Sequence, residues 1–176
     1  MNLITERRVI MEKEISIFVE NLARRNAGNT QGAWFTLPVP FNTIARKIRL
    51  SENEEEWIIT DYEAPFNIGE YDNINKLNRI ATELDNVPDY LWENARDLLG
   101  SGIYESIEDL VSDPERVIYL PNISEDSDLG SYLVEHNTWY DVPNNLAGYI
   151  NTRKFGQDYR FSTDGFFAKT GFFISA

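Results

Sequence analysis

From residue 14 onward the chain moves between two hydrophobic periods. Ile15, Ile17 and Val19 stand two apart with Ser16 and Phe18 between them, which predicts a strand. The polar stretch 24–31, with Asn26, Gly28 and Asn29, reads as a loop returning into a second, aromatic-rich strand over 32–37, closed by Pro38 and Pro40. Phe41, Ile44, Ala45 and Ile48 then recur at helical spacing, and a short amphipathic helix is expected to end before Ser51. The β-branched and aromatic run 57–62 predicts a third strand. A small sheet with one helix follows for this part.

From Tyr71 the helical period dominates. Ile74, Leu77, Ala81 and Leu84 mark one helix. Pro88 in a first turn, followed by Leu91, Ala95, Leu98 and Leu99, marks a second that stops at Gly100. Ser106 and Asp109 make an approximate capping box for a short helix through Val111. A strand is expected over 117–120, a helix lined by Leu129, Tyr132 and Leu133, and a further helix opened by Asp141 and Pro143 that carries Leu146, Tyr149 and Ile150. The tail 161–174, with paired aromatics around Gly165 and Gly171, reads as a closing hairpin. The fold class is therefore α+β.

Composition supports a folded chain: 176 residues, 42% hydrophobic, include ten Phe, nine Tyr and four Trp, enough for a substantial core in one domain or two to three small lobes. Charge changes the picture more. The segment 50–141 holds 23 of the 29 acidic residues against four basic ones, Lys76, Arg79, Arg96 and Arg116, a formal −19. Residues 1–49 carry eight basic and four acidic side chains, and 143–176 four and two. The apolar positions of the acidic block keep their helical spacing, so its carboxylates are expected on solvent-facing sides. The net charge of −13 disfavours nucleic acid and anionic membranes as partners and favours a basic protein. Absence of cysteine removes disulfides and thiol chemistry, and with no signal-peptide-like or membrane-spanning apolar run the expectation is a cytoplasmic protein.

The acids nominated as a surface are Glu52, Glu54, Glu55, Glu56, Asp61, Glu63, Glu70, Asp72, Glu83, Asp85, Asp89, Glu93, Asp97, Glu105, Glu108, Asp109, Asp113, Glu115, Glu125, Asp126, Asp128 and Glu135. Like charges at helical spacing cost a few tenths of a kcal/mol per pair, about 0.2–0.5. A solvated face serving solubility is one reading; a phosphate-like array is the sharper one. B-DNA carries one charge per ~1.7 Å of axis, so the block would match about 30 Å of duplex.

No catalytic, cofactor or metal site is expected. His136 is the sole histidine, and neither a Gly-x-Ser-x-Gly elbow nor a phosphate loop is present; Gly100-Ser101-Gly102 lacks the lysine and spacing. Ser124, Asp126, Asp128 and Glu135 fit positions 1, 3, 5 and 12 of a calcium loop, but Leu129 stands where the turn needs glycine. An acidic enzyme would need two carboxylates converging in a cleft.

Three ordered segments carry a family resemblance: Gly32-Ala33-Trp34-Phe35-Thr36-Leu37-Pro38, Asp61-Tyr62-Glu63-Ala64-Pro65-Phe66, and Pro143-Asn144-Asn145-Leu146-Ala147-Gly148-Tyr149-Ile150 with Phe155-Gly156-Gln157-Asp158. In these the chain resembles the ArdA family of antirestriction proteins from about Met11 to the final hairpin. The resemblance implies an elongated α+β chain of three small lobes: an N-terminal α/β lobe of antiparallel sheet plus helix over 11–66 behind an extension 1–10, a central helical lobe over 67–103, and a C-terminal α+β lobe over 104–176 that dimerises. It also implies a non-enzymatic inhibitor in a bacterial host that imitates bent duplex DNA and occupies the DNA site of type I restriction-modification enzymes or their methyltransferase core. Pro143, Asn145, Leu146, Tyr149, Ile150, Phe155, Gly156 and Asp158 are the positions similar to the family's antirestriction motif. Where the family carries acids after this point, the chain has Asn151, Arg153 and Lys154, which suits an interface or a shifted target, such as a CRISPR effector. A plain acidic scaffold and an acidic enzyme are the readings from other classes.

Overall fold

In a computed structural model of the chain, residues 13–29, 31–51, 56–136 and 141–176 are described. The fold is α+β with two small three-stranded antiparallel sheets. The chain divides into two units, 1–86 and 87–176, each with one of the sheets.

The first unit is built on β1 (Ser16–Asn21), which lies between β2 (Gly32–Thr36) and β3 (Trp57–Glu63), both antiparallel to it. Ile15, Ile17 and Val19 are fully buried, as the two-residue period requires of one sheet face. On the other face Phe18 meets its cross-strand partner Trp34, with ring centroids 5.5 Å apart. Opposite β1, the pairing passes from Phe18–Asp61 to Val19–Ile59, so Thr60 is an extra residue in β3. Beyond the shift, Ile59 pairs with Val19 and Ile58 with Glu20, so these consecutive residues, both buried, lie on opposite faces of the sheet.

The stretch 24–31 expected as loop begins inside a five-residue helix, α1 (Leu22–Asn26). Its start is set by the fully buried Asn21, whose Oδ1 accepts from the Arg24 N–H and whose Nδ2 donates to the Arg49 carbonyl. The helix expected from Phe41 is α2 (Phe41–Lys47), and the one from Ile74 is α3 (Ile74–Glu83), followed by a 3₁₀ turn over Leu84–Asn86. Asn78 of α3 both donates to the Val39 carbonyl (2.8 Å) and accepts from the Val39 N–H (2.9 Å), holding the segment after the cis Leu37–Pro38 bond.

In the second unit, the single helix expected over 88–100 is two: α4 (Asp89–Glu93) and α5 (Ala95–Ser101), the latter ending at Gly102 with φ 82° rather than at Gly100. The break is Asn94, which a tertiary contact pulls out of helical geometry. Buried at the junction, it donates to the Tyr90 carbonyl and to Thr170 Oγ1, and accepts from the Thr170 N–H. Helix α6 (Ile107–Ser112) and a 3₁₀ turn over Pro114–Arg116 precede β4 (Val117–Pro121), and α7 spans Asp126–His136.

After Pro143 the structure differs again: α8 is only Asn144–Ala147, and a second helix, α9 (Thr152–Ser162), takes in Phe161, which was expected in the hairpin. Asn151 starts α9 by accepting from the Lys154 N–H. Strands β5 (Phe166–Ala168) and β6 (Gly171–Ser175) complete the sheet in the order β4-β6-β5. Because β6 is central, Phe172, Phe173 and Ile174 are all buried: Phe172 and Ile174 pack with Leu120, Leu129, Leu133 and Tyr159, while Phe173 stacks on Tyr119 and Phe166. Helices α7 and α9 meet backbone to backbone. A Cβ on Gly156 would collide with the Asp126 carbonyl, and one on Gly130 with that of Thr152.

Candidate acidic binding surface

Of the nominated acids, Glu52, Glu54 and Glu55 lie outside the described residues. Among the other nineteen none is buried: fourteen are exposed, and Glu93, Glu108, Asp109, Asp126 and Asp128 are half-buried. In the first unit Asp61 and Glu63 are on β3, Glu56 just before it, Glu70 and Asp72 in the turn leading to α3, Glu83 at its end and Asp85 in the 3₁₀ turn. These seven form no ion pair among the described residues. Asp72 accepts from the Gly69 N–H, which fixes its turn.

In the second unit, acids gather at helix starts: Asp89 in the first turn of α4, Asp97 of α5, Glu108 and Asp109 of α6, Asp126 and Asp128 of α7. There the unpaired N–H groups and the helix dipole favour negative charge. Three of the nominated acids are also engaged by arginine. Arg116 grips Asp109 with two contacts of 2.6 Å and reaches Asp113 at 3.1 Å. Arg160 bridges α9 to Asp126 at 2.8 and 3.2 Å, its guanidinium over the rings of Phe161 and Phe167. These hydrogen bonds hold the Asp109 and Asp126 carboxyls below the usual carboxylate range, and the Ser124 N–H and hydroxyl do the same for Asp128. The surface thus combines solvent-facing charge with carboxylates that tie the fold together.

The capping box at Ser106 is present in altered form. Ser106 Oγ accepts from the Asp109 N–H, but Asp109 returns its bond to the N–H of Glu105, one residue before the cap. The calcium-loop spacing is used otherwise: the chain is helical from Asp126, Asp126 binds Arg160, and Asp128 accepts from the N–H and hydroxyl of Ser124 just before α7. His136 ends α7, exposed, stacked on the Tyr132 ring with Nδ1 3.0 Å from the Tyr132 carbonyl. Among the described residues no three His, Asp or Glu side chains are grouped to hold a metal ion, and no helix is long and apolar enough to cross a membrane.

The motif-like positions divide by role. Phe155 packs against the second-unit core and Gly156 sits at the α7–α9 contact. Leu146 and Tyr149 are exposed, at 50% and 88%, as are Pro143 and Asn145; Ile150 is half-buried. Asp158 is exposed and paired with Lys154 at 3.3 Å. Sequence reasoning missed Asn94, Asn78 and α9. For α9 the signal was available: an Asn cap at 151, then Phe155 and Tyr159 four apart.

Together these features define an α+β protein whose acidic residues are gathered by segment, none of the nineteen described nominated ones being buried. The sequence model of the ArdA antirestriction protein family matches residues 17–174, nearly the whole chain, and the chain belongs to that family. Its role is accordingly antirestriction, directed at restriction-modification enzymes. No curated protein matches the chain.

Proposed function

We propose that this chain counters restriction by imitating DNA, occupying the DNA-binding site of a type I restriction-modification enzyme as a stoichiometric inhibitor and without catalysing a reaction. What supports this reading above all is the outward placement of the acidic block: nineteen described carboxylates, none of them buried, in a stretch with four basic side chains. Lysines and arginines that the enzyme offers to phosphates meet carboxylates held by folded elements. No deformation like that of a bent DNA site is then needed, a saving of order 1–6 kcal/mol. In this proposal the chain has lobes 11–66, 67–103 and 104–176, and the last pairs with a second copy through the exposed Leu146 and Tyr149.

The test is competition. Purified protein mixed with a type I enzyme and labelled DNA should displace the DNA at near-equimolar ratio, and its own binding should weaken at least about ten-fold between 50 and 200 mM salt. Binding that ignores salt, or that leaves DNA in place, overturns the proposal.

One observation favours a second target. Arg153 and Lys154 stand exposed within the motif-like segment, and Lys154 partly neutralises Asp158. An RNA-guided nuclease run through the same competition separates the two: displacement there and not from the type I enzyme would move the target.

A further inference from the structure

The first unit holds an open cleft of about 330 Å³ lined by Phe41, Trp57, Tyr71, Asn73, Ile74 and Asn75. Its three aromatic rings come from three places in the chain: the first residue of α2, the first residue of β3, and the turn before α3. Phe41 and Trp57 are half-buried and tilted against each other, with ring centroids 5.6 Å apart, while Tyr71 is 72% exposed. A tyrosine so far out of the core, beside two rings that are not fully covered, offers aromatic faces without an internal partner for its own among the described residues.

The surroundings identify the class of ligand. Among the described residues no lysine or arginine lines the cleft. Glu56 precedes Trp57, and Glu70 and Asp72 bracket Tyr71; all three carboxylates are exposed. The start of α3, which would otherwise favour an anion, is already answered by Asn73, whose Oδ1 accepts from the Asn75 and Lys76 N–H groups. Aromatic faces with carboxylates close by in the chain attract a cation, and a planar guanidinium adds stacking and donors for the amide oxygen of Asn75.

We propose that this cleft receives an arginine side chain of the target protein. The proposal rests on the reading of the chain as a DNA imitator, whose partner presents a basic surface, and it adds one pocketed contact to an otherwise diffuse charge match. Such a buried anchor is what sets the dissociation rate of an interface, whereas rim charges set mainly the association rate.

The experiment titrates the full chain with N-acetyl-arginine amide while following the Trp57 indole N–H resonance, assigned with Trp57→Phe. Saturable shifts at millimolar ligand are expected; they should weaken at least about five-fold in Tyr71→Ala and persist in Tyr71→Phe, which keeps the ring. N-acetyl-citrulline amide, of the same shape without the charge, should give none. Shifts equal for citrulline, shifts with adenosine in place of arginine, or none with arginine overturn the inference. Competition for DNA is read separately on the same samples. Arginine binding without DNA displacement sinks the imitation and leaves the cleft standing, whereas displacement unchanged in Tyr71→Ala and Trp57→Phe, with no arginine binding, sinks the cleft alone.

Discussion

Tyr104 is 1% exposed; its hydroxyl donates to the Asp113 carbonyl at 3.1 Å and the Arg116 guanidinium lies 5.1 Å above its ring. Burial pushes its pKa from 10.0 up to about 12. A folded-state value above the unfolded one means that the folded protein keeps this proton while the unfolded chain gives it up. The contribution to stability is therefore complete below pH 10 and lost as pH rises to 12, a change of about 2–3 kcal/mol. Urea midpoints between pH 9 and 12 should fall more steeply for the natural chain than for Tyr104→Phe. The variant should itself lose about 1 kcal/mol at neutral pH, because the Asp113 carbonyl loses a donor. Parallel curves for the two proteins would refute this account. Nothing in the sequence marked Tyr104: one tyrosine among nine carries no signal of its burial.

At the scale of elements, the acidic block is possible because it is cut into short helices. Each helix start among α4 to α7 offers a positive end, and acids in a first turn gain about 0.3–1 kcal/mol each, which offsets the repulsion between like charges along a helix. The sequence reading placed Asp89, Glu93 and Asp97 along one helix; Asn94 breaks it, and Asp97 becomes a first-turn residue of α5. The pair α7 and α9 depends on a different constraint. Gly156→Ala should destabilise the protein by about 3 kcal/mol, since its methyl meets the Asp126 carbonyl and the helices must separate, breaking the Arg160–Asp126 bridge and uncovering Leu129 and Tyr159. Chemical denaturation measures this directly. An alanine at Gly148, which has open space around it, is the control and should change stability by less than about 0.5 kcal/mol.

For the whole molecule, the proposal of DNA imitation makes a statement about additivity. Exposed ion pairs contribute about 0.2–1 kcal/mol each. A single acid-to-amide change should therefore shift inhibition by only a few fold, whereas changing Glu83, Asp85, Asp97, Glu105 and Glu115 together should weaken it at least ten-fold, with the circular dichroism spectrum unchanged. Inhibition that survives the five-fold change would assign the acids to solubility instead. Two of the eight motif-like positions answer to the fold rather than to a target: Phe155 packs on the core and Gly156 sits at the α7–α9 contact, while Leu146 and Tyr149 remain outside.

The sequence by itself determined the strands β1, β2, β3 and β4, the helices α2, α3, α6 and α7, and the segregation of charge, because hydrophobic period and charge are local quantities. It could not determine that Asn94 splits a helix, that Gly130 and Gly156 let two backbones touch, that Asp126 answers Arg160, or that Phe41, Trp57 and Tyr71 share a cleft. Each of these depends on partners between 14 and 76 positions away, and the free energy of a contact between distant residues is written nowhere in the period of either one. Only the folded chain decides which side chains become neighbours.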